Sequence, residues 1–266
     1  MAVPPDWIVP DWPAPSSVRA VFTTRSGGVS APPFDSFNLG DHVRDEPAAV
    51  ACNRARLAEA LGQRPVFLQQ VHGTAVLPLD AHTTDGAVAD ACLSTTPSVA
   101  CTIMVADCLP VLFTHTSGVV VAAAHAGWRG LAQGVLENTF AALVEAVQRI
   151  QPAATPASVA QDTLTWLGPC IGPQAFEVGP EVRDAFVAHQ PAAQQAFEAS
   201  IGGRFLANLP LLARWRLGAL GITRVAGNDG TAPWCTVTQP SRFFSHRRDA
   251  ARLGSTGRMA ACIWLV

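Results

Sequence analysis

The chain has 266 residues, of which 49% are hydrophobic and 14% are charged, so it carries enough apolar material to bury a sizeable core. Its 18 basic and 20 acidic residues give a net charge of −2, which provides no electrostatic reason to expect nucleic acid or an anionic membrane as a partner. All the basic residues are arginine and there is no tyrosine, which excludes Schiff-base chemistry, a lysine-bearing phosphate loop and a phenol as general acid.

Residues 1–17 are rich in proline and aspartate, and we predict that they form an extension preceding one domain over residues 18–266. They lack a basic start followed by an apolar stretch, so a signal peptide is not expected. No apolar run approaches the ~18 residues of a membrane helix, so no membrane span is expected either. The seven cysteines, an odd number at irregular spacing, indicate reduced thiols and a cytoplasmic protein.

The first half of the chain is predicted to contain several strands and one helix. The segment 47–61 begins with proline and is followed by Gly62, as expected for an amphipathic helix. Apolar runs rich in valine and isoleucine, bounded by turn residues, predict strands. These predicted strands cover residues 19–24, 66–70, 75–79, 99–106, 111–115 and 119–124.

The second half adds helices and three more strands. Apolar residues recur every four positions from Leu131 to Val147, which predicts one helix of about 18 residues, followed by a loop over 151–161. The other predicted elements are helices near 180–189 and 209–220, and strands at 163–167, 222–226 and 259–266. Because strands and helices mix without a regular βαβ rhythm, we predict a single α+β domain rather than a doubly wound sheet.

Three segments place a reactive side chain where an apolar strand gives way to a turn: QQVHGT with His72, ADCLP with Cys108, and AHAGWRG with His125. Taken alone, a cysteine or histidine in such a position is more often an ordinary core or turn residue than a ligand, so the prediction depends on finding the three in the same local context. Their separations of 36 and 17 residues are too wide for a zinc finger. Two imidazoles and one thiolate with one coordination position open are typical of catalytic zinc, since Mg²⁺ and Ca²⁺ prefer oxygen ligands. We therefore predict a zinc site at these three residues.

Several longer segments point to a family. They are FTTRSGGVS (22–30), FNLGDHV (37–43), LQQVHGTAV (68–76), ADCLPVLF (106–113), AAAHAGWRGLAQGVLENT (122–139), LGPCIGPQAFEVGPEV (167–182), FFSHRRD (243–249) and TGRMAACIW (256–264). Together they resemble the laccase-domain family, also called the YfiH-like or polyphenol-oxidase family. This family includes purine nucleoside phosphorylases and a peptidoglycan editing factor.

The resemblance implies a four-layer α/β/β/α arrangement of mixed β-sheets, with zinc bound by His72, Cys108 and His125. It also implies a zinc-dependent enzyme that phosphorolyses adenosine, inosine, guanosine and methylthioadenosine and that deaminates adenosine. Its partners would be a small nucleoside and phosphate, and the protein would be a monomer or a small homo-oligomer. The laccase name fits the residues poorly, because blue-copper oxidases need clustered His-Cys-His-Met ligands, which the seven histidines and three methionines do not provide.

The segment FFSHRRD supplies two candidate anion-binding residues, Arg247 and Arg248. Guanidinium groups bind phosphate through a planar fork of donors, and the chain has no lysine to do so instead. The resemblance places the first of the two, Arg247, in the active site. The alternative is that Asp249 pairs with one arginine as a surface ion pair. In the same segment, His246 stands where many members of the family have tyrosine.

Arg25, Asn38 and Glu177 are further candidate substrate-binding residues. Arg25 is predicted either to hold an anion or to remain solvated beside a glycine turn. Asn38 is predicted either to hydrogen-bond a ribose or base or to satisfy its own turn. Glu177 is a candidate general acid or base, or else a carboxylate at the start of a helix. Asp107, next to a predicted ligand, is a candidate to orient a histidine.

Three other functions would use the same residues. One is a peptidoglycan editing hydrolase that removes a wrong amino acid from a cell-wall precursor. Another is a metal-free cysteine hydrolase with Cys108 as the nucleophile and His125 as the base. The third is a binding module with a structural metal, against which the open coordination position argues.

Overall fold

The computed structural model describes residues 3–266. Its helices are α1 (Pro47–Leu61), α2 (Trp128–Gln133), α3 (Val135–Ile150), α4 (Pro156–Asp162), α5 (Pro180–His189), α6 (Leu209–Ala219) and α7 (His246–Leu253). Its strands are β1 (Val18–Phe22), β2 (Arg64–Phe67), β3 (Val76–Leu79), β4 (Ala91–Ser94), β5 (Val99–Val105), β6 (Leu109–His115), β7 (Val121–Ala126), β8 (Thr163–Leu167), β9 (Glu177–Val178), β10 (Phe197–Ala199), β11 (Phe205–Ala207), β12 (Arg224–Gly227) and β13 (Met259–Leu265).

Two β-sheets packed face to face carry the fold. One has four strands in the order β1-β13-β5-β2, and the other has six in the order β12-β8-β6-β7-β4-β3. Apolar side chains of both sheets, among them Phe22, Ile103 and Trp166, meet in a buried core between them. Strands such as β5 and β6 are buried along their whole length, since the sheets are covered on both faces.

Helices cover the two outer faces. On the four-stranded sheet, Leu57 and Leu61 of α1 pack in one buried cluster with Trp264 of β13. On the six-stranded sheet, Leu143 of α3 and Leu212 of α6 belong to the largest buried cluster. A small antiparallel sheet, in the order β10-β11-β9, packs beside α5. The predicted single α+β domain with mixed sheets in four layers is thus confirmed.

The strand register brings the three predicted metal ligands together. Strands β6 and β7 are antiparallel neighbours, and Pro110 pairs with His125, which places Cys108 two residues from that pair. Strand β2 runs parallel to β5, so the chain continuing from β2 to His72 ends near the turn between β5 and β6. Three connections that are distant in sequence therefore meet at one end of the two sheets.

The structure corrects the helix that the sequence predicts after His125. Two helices, α2 and α3, are present instead, because Gly134 adopts a left-handed φ of 101° that ends one and begins the other. The loop predicted over 151–161 is also wrong in part, since α4 starts at Pro156. Thr155 and Ser158 form a capping box there, which allows a short helix despite the proline and alanine composition.

The segment before β1 contacts the domain. Trp7 is buried against Phe37, with 5.5 Å between the ring centroids. The backbone of Ile8 exchanges two hydrogen bonds with Phe22, of 2.9 and 2.8 Å, which extends the edge of the four-stranded sheet. None of the helices within residues 3–266 is both long and apolar enough to span a membrane.

The break at Gly134 gives a stability prediction. Alanine there keeps the left-handed conformation only at a steric cost, so Gly134→Ala should lower the free energy of unfolding by about 1–2 kcal/mol. Gly218 lies inside α6 with open space around its α-carbon, so Gly218→Ala should leave stability unchanged or raise it by up to about 1 kcal/mol. Urea unfolding of both variants measures the difference, and equal stability would contradict the strain at Gly134.

Candidate metal centre

His72, Cys108 and His125 form the candidate metal centre. Their nitrogen and sulfur atoms all lie within 4.8 Å of one another, and the Cys108 Sγ is 3.6 Å from the His72 Nε2. Ordinary Zn–S and Zn–N bonds around a tetrahedral ion separate such atoms by about 3.6 Å. Over residues 3–266, no second group of three or more His, Cys, Asp or Glu side chains has this proximity. The donor set and its spacing therefore fit one zinc ion.

The carboxylate of Asp90 holds two of these ligands in place. It is fully buried, and its Oδ1 accepts hydrogen bonds of 2.8 Å from the His125 Nδ1 and 2.8 Å from the backbone N–H of His72. Its Oδ2 accepts from the backbone N–H groups of Val71 and Gly73, at 3.1 and 2.7 Å. Because Nδ1 of His125 donates to Asp90, the Nε2 lone pair is available to a metal.

The backbone at the site adopts conformations that most residues avoid. His72 and Asp107 have left-handed φ angles of 61° and 86°, which usually cost roughly 1–3 kcal/mol and persist only where other contacts fix them. Gly127 permits the close approach of the ligand-bearing turns. A Cβ at this position would lie 2.8 Å from the His72 Cδ2 and 3.0 Å from the Cys108 Sγ.

The electrostatics of the site favour a thiolate. Burial raises the pKa of Cys108, but the charge and hydrogen bond of His125 and the hydrogen bond of His72 outweigh it and lower that pKa to about 6. Burial lowers the pKa of His125, but the Cys108 thiolate and the Asp90 hydrogen bond outweigh it and raise that pKa to about 9. Without metal the pair is therefore thiolate and imidazolium at neutral pH, and the thiolate is the form that binds a metal.

The metal centre opens into a cavity of about 370 Å³. Its lining has one carboxylate, that of Asp107, against three guanidinium groups, so the cavity favours a ligand that carries negative charge. Besides the three candidate ligands and Asp107, the lining consists of His42, Gln70, Met104, Val105, Ala106, Trp128, Arg129, Ile171, Phe176, Leu209, His246, Arg247 and Arg258.

Of the five residues predicted to contact the substrate or its anionic part, the structure brings only Arg247 to this cavity. Its Nη1 and Nη2 donate to the backbone carbonyls of Ala175 and Glu177, at 3.3 and 3.0 Å. Its guanidinium lies 5.7 Å from the ring centroid of Phe176. Arg247 thus joins α7 to the segment around β9 while remaining exposed at the cavity.

The two other predicted arginines are engaged outside the cavity lining. Arg25 forms an ion pair with Asp35, at 3.1 Å, and lies over the ring of Phe244. Arg248 pairs with Asp249 at 2.7 Å, and its Nη1 and Nη2 also donate to the backbone carbonyls of Thr236 and Phe243. Both guanidinium groups are therefore occupied by protein acceptors.

Asn38 and Glu177 also lie outside the cavity lining. The buried Asn38 amide donates to the Gly40 carbonyl and to Asp45, and its Oδ1 accepts from the backbone N–H groups of Gly40 and Arg258. The Glu177 carboxylate accepts from the Ser200 hydroxyl and pairs with Arg204 at 3.4 Å. Asn38 is thus saturated by protein contacts, and both carboxylate oxygens of Glu177 have protein partners.

Asp107 does not orient a histidine, which corrects that expectation. Its carboxylate accepts hydrogen bonds from the hydroxyls of Thr236 and Ser245 and from the backbone N–H of Arg247. These contacts fix the first turn of α7, a helix that the sequence did not reveal, and so place His246 and Arg247 at the cavity.

Sequence reasoning missed Asp90, Arg258, Gln70 and His42. Asp90 stands among small apolar residues in VADAC, and a carboxylate in such a setting needs buried hydrogen-bond partners, which is a usable signal. The Gln70 amide is bonded at both ends to the backbone of Met104, so it fixes the turn that carries His72. No local sequence signal identifies Arg258 or His42 as cavity residues.

Comparison with known proteins identifies the family. The family model described as multi-copper polyphenol oxidoreductase laccase matches residues 19–266. The chain belongs to this family. It is 53% identical over 260 residues to a protein of Pseudomonas aeruginosa named purine nucleoside phosphorylase PA4543, with 97% of this chain and 98% of the relative covered. It is 48% identical to the purine nucleoside phosphorylase YfiH of Escherichia coli, with 97% and 98% covered.

Solved structures show the same fold. The crystal structure of Neisseria meningitidis protein NMB0706 matches with a TM-score of 0.87 at 45% identity, covering 98% of this chain and 99% of that one. The crystal structure of YlmD from Geobacillus stearothermophilus matches with a TM-score of 0.82 at 31% identity, covering 97% and 96%. The family resemblance drawn from the sequence motifs is therefore confirmed.

The Asp90 hydrogen bonds give a metal-affinity prediction. Asp90→Asn weakens the bonds that orient His125 and the turn of His72, so zinc affinity should fall about 10- to 100-fold. Asp80 accepts similar bonds in an exposed turn away from the site, and Asp80→Asn should leave zinc affinity unchanged. Competition titration against a chromogenic chelator measures both, with circular dichroism as the check on folding. Equal affinities in two folded variants would remove Asp90 from this role.

The lowered pKa of Cys108 gives a second prediction. Below a pH of about 6 the thiol is protonated and unreactive, whereas above it the thiolate dominates. Iodoacetamide modification of Cys108 in the metal-free protein should therefore be half-maximal near pH 6, and zinc added beforehand should suppress it. Mass spectrometry of the Cys108 peptide follows the reaction. A midpoint near the value of about 8.5 for an ordinary thiol would contradict the ion pair with His125.

Proposed function

We propose that this protein is a zinc-dependent purine nucleoside phosphorylase that acts on adenosine, inosine, guanosine and methylthioadenosine and that also deaminates adenosine. The observation that carries the proposal is the His72, Cys108 and His125 group at a cavity large enough for a small ligand. The names of relatives at 48–53% identity support the phosphorylase part. The seven free cysteines agree with a cytoplasmic enzyme, and we propose a monomer or small homo-oligomer.

The donor set supports zinc rather than copper chemistry. Two imidazoles and one thiolate leave one position for a ligand, and zinc in such a site supplies a Lewis acid. A multi-copper oxidase requires several centres, whereas residues 3–266 bring one such group together. The family description names a multi-copper laccase, whereas the relatives are named purine nucleoside phosphorylases. The single His-Cys-His group within residues 3–266 of this chain supports the phosphorylase name.

The cavity wall supplies binding surface for a nucleoside. Trp128, Ile171, Phe176 and Leu209 provide aromatic and apolar side chains suited to the flat face of a purine. The guanidinium groups of the same lining suit phosphate. In this proposal Arg247 contacts substrate, whereas Arg25, Asn38, Glu177 and Arg248 support the walls through their protein contacts.

One observation favours a second function, a metal-free cysteine hydrolase. The pKa of Cys108 is about 6 and its thiolate is bonded to His125, which is how activated cysteine nucleophiles are paired. Both functions use the same atoms, so metal content must be measured together with turnover.

The proposal predicts zinc and nucleoside cleavage together. Elemental analysis should find one zinc per chain, and adenosine with phosphate should yield adenine and ribose 1-phosphate by chromatography. Cys108→Ala removes a ligand and should abolish both zinc binding and cleavage. Cys101 is buried in the core between the sheets, away from the three candidate ligands, so the control variant Cys101→Ala should retain zinc binding and cleavage.

Three outcomes would contradict the proposal. Copper in place of zinc would reject the metal assignment. Full cleavage by the zinc-free protein, lost in Cys108→Ala, would establish the cysteine hydrolase. Failure on nucleosides with release of an amino acid from an acylated cell-wall precursor would establish the peptidoglycan editing hydrolase that the family resemblance also implies.

A further inference from the structure

Arg258 lies next to the metal centre although it is 133 residues from His125 in sequence. It immediately precedes β13, whose first residue, Met259, pairs with Val105 at the end of β5. One residue beyond that pair, Arg258 lies opposite Ala106, and Ala106 is two residues before Cys108. Arg258 lines the same cavity as the three candidate ligands.

The backbone of Arg258 is held on both sides by one loop. Its N–H donates to the Oδ1 of Asn38 at 2.8 Å, and its carbonyl accepts from the N–H of Leu39 at 3.1 Å. Asn38 is fully buried and is fixed in turn by Gly40 and Asp45. The FNLG segment therefore determines where the Arg258 side chain starts.

The side chain is positioned as closely as the backbone. A Cβ on Gly40 would lie 2.7 Å from the Arg258 Cγ, so only glycine leaves room for the aliphatic part of the arginine. The Nη1 donates to the carbonyls of Thr256 and Gly257, at 3.0 and 3.3 Å. Within residues 3–266, Nε and Nη2 of Arg258 have no hydrogen-bond partner, and no carboxylate lies within ion-pair distance of its guanidinium.

The other guanidinium groups of the cavity are less available. Arg247 donates through both terminal nitrogens to backbone carbonyls, and Arg129 is exposed with its guanidinium over the ring of Trp128. Asp107 is the carboxylate of the lining. Its Oδ1 accepts a hydrogen bond from the Thr236 hydroxyl, and its Oδ2 accepts from Ser245 and Arg247 at the start of α7. It forms no ion pair with Arg258. Arg258 is thus a fixed cation at the cavity with two unused donor groups.

We propose that Arg258 binds the phosphate that the cavity takes as its second substrate, and that Asn38 and Gly40 act as positioning residues for its guanidinium. The proposal rests on the phosphorolytic function proposed above. A guanidinium with Nε and Nη2 free presents two parallel N–H donors, which match two oxygens of a phosphate. Arg258 lies opposite Ala106, which is two residues before Cys108, so a phosphate bound by its guanidinium would lie beside the metal centre.

Phosphate binding to the zinc-loaded protein tests the proposal directly. Isothermal titration with inorganic phosphate should show at least tenfold weaker binding in Arg258→Gln, with part of the affinity restored in Arg258→Lys. Gly40→Ala should also weaken phosphate binding, because it displaces the arginine without removing its charge. Arg224 is exposed at the start of β12, and Arg224→Gln, which removes the same charge, should bind phosphate like the parent protein. Zinc content and the KM for the nucleoside should stay unchanged in all four variants, whereas the KM for phosphate should follow the titration.

The outcomes separate this proposal from the function on which it rests. Phosphate affinity lost in Arg258→Gln, in a protein that cleaves no nucleoside, would retain the anion site and reject phosphorolysis. Phosphate-dependent cleavage with an unchanged phosphate KM in Arg258→Gln would retain phosphorolysis and overturn the role of Arg258. Loss of phosphate affinity in Arg247→Gln alone would overturn it as well, as would a parent protein that does not bind phosphate.

Discussion

The arrangement of the candidate metal centre depends on one buried carboxylate, that of Asp90. A buried carboxylate costs several kcal/mol unless hydrogen bonds replace its hydration, and all four of its bonds come from the ligand-bearing segments. The desolvation penalty thereby enforces geometry, since moving either His72 or His125 would leave the charge unsatisfied. The same contacts hold the left-handed backbone of His72, a conformation that is uncommon for residues other than glycine.

A second carboxylate, that of Asp107, also fixes a segment of the site through hydrogen bonds, one residue from Cys108. Its bonds to Ser245 and to the N–H of Arg247 cross 138 and 140 residues of sequence, so it joins the metal centre to α7. Asp90 lies outside the cavity lining, and Asp107 is its single carboxylate against three guanidinium groups. The guanidinium groups of the lining therefore set its charge, which is the property that a phosphate-using enzyme requires.

Short-range sequence patterns, such as apolar runs and a proline or glycine at a helix end, predicted several elements correctly. Helix α1 and strand β8 have the predicted bounds, and the motif context found the three candidate ligands. The four-residue periodicity could not reveal the break between α2 and α3, since apolar residues recur on both sides of Gly134. The functions of Asp90 and Arg258 depend on partners far away in sequence, such as Asn38 at 220 residues from Arg258. Periodicity and composition do not identify which distant residues are the partners.

The second histidine favours a metal site over a cysteine hydrolase as the chemistry that Cys108 supports. A cysteine hydrolase needs one imidazole beside its thiolate, and His125, oriented by Asp90, would meet that need. It gives no role to His72, whose Nε2 lies 3.6 Å from the Sγ of Cys108. The left-handed turn of His72 is held by three hydrogen bonds, which the backbone N–H groups of His72 and its two neighbours donate to the Asp90 carboxylate. A metal explains both the position of His72 beside Cys108 and its fixed left-handed turn. As the third ligand, His72 must point to the same ion as Cys108 and His125, and its backbone must be held in an uncommon conformation to do so.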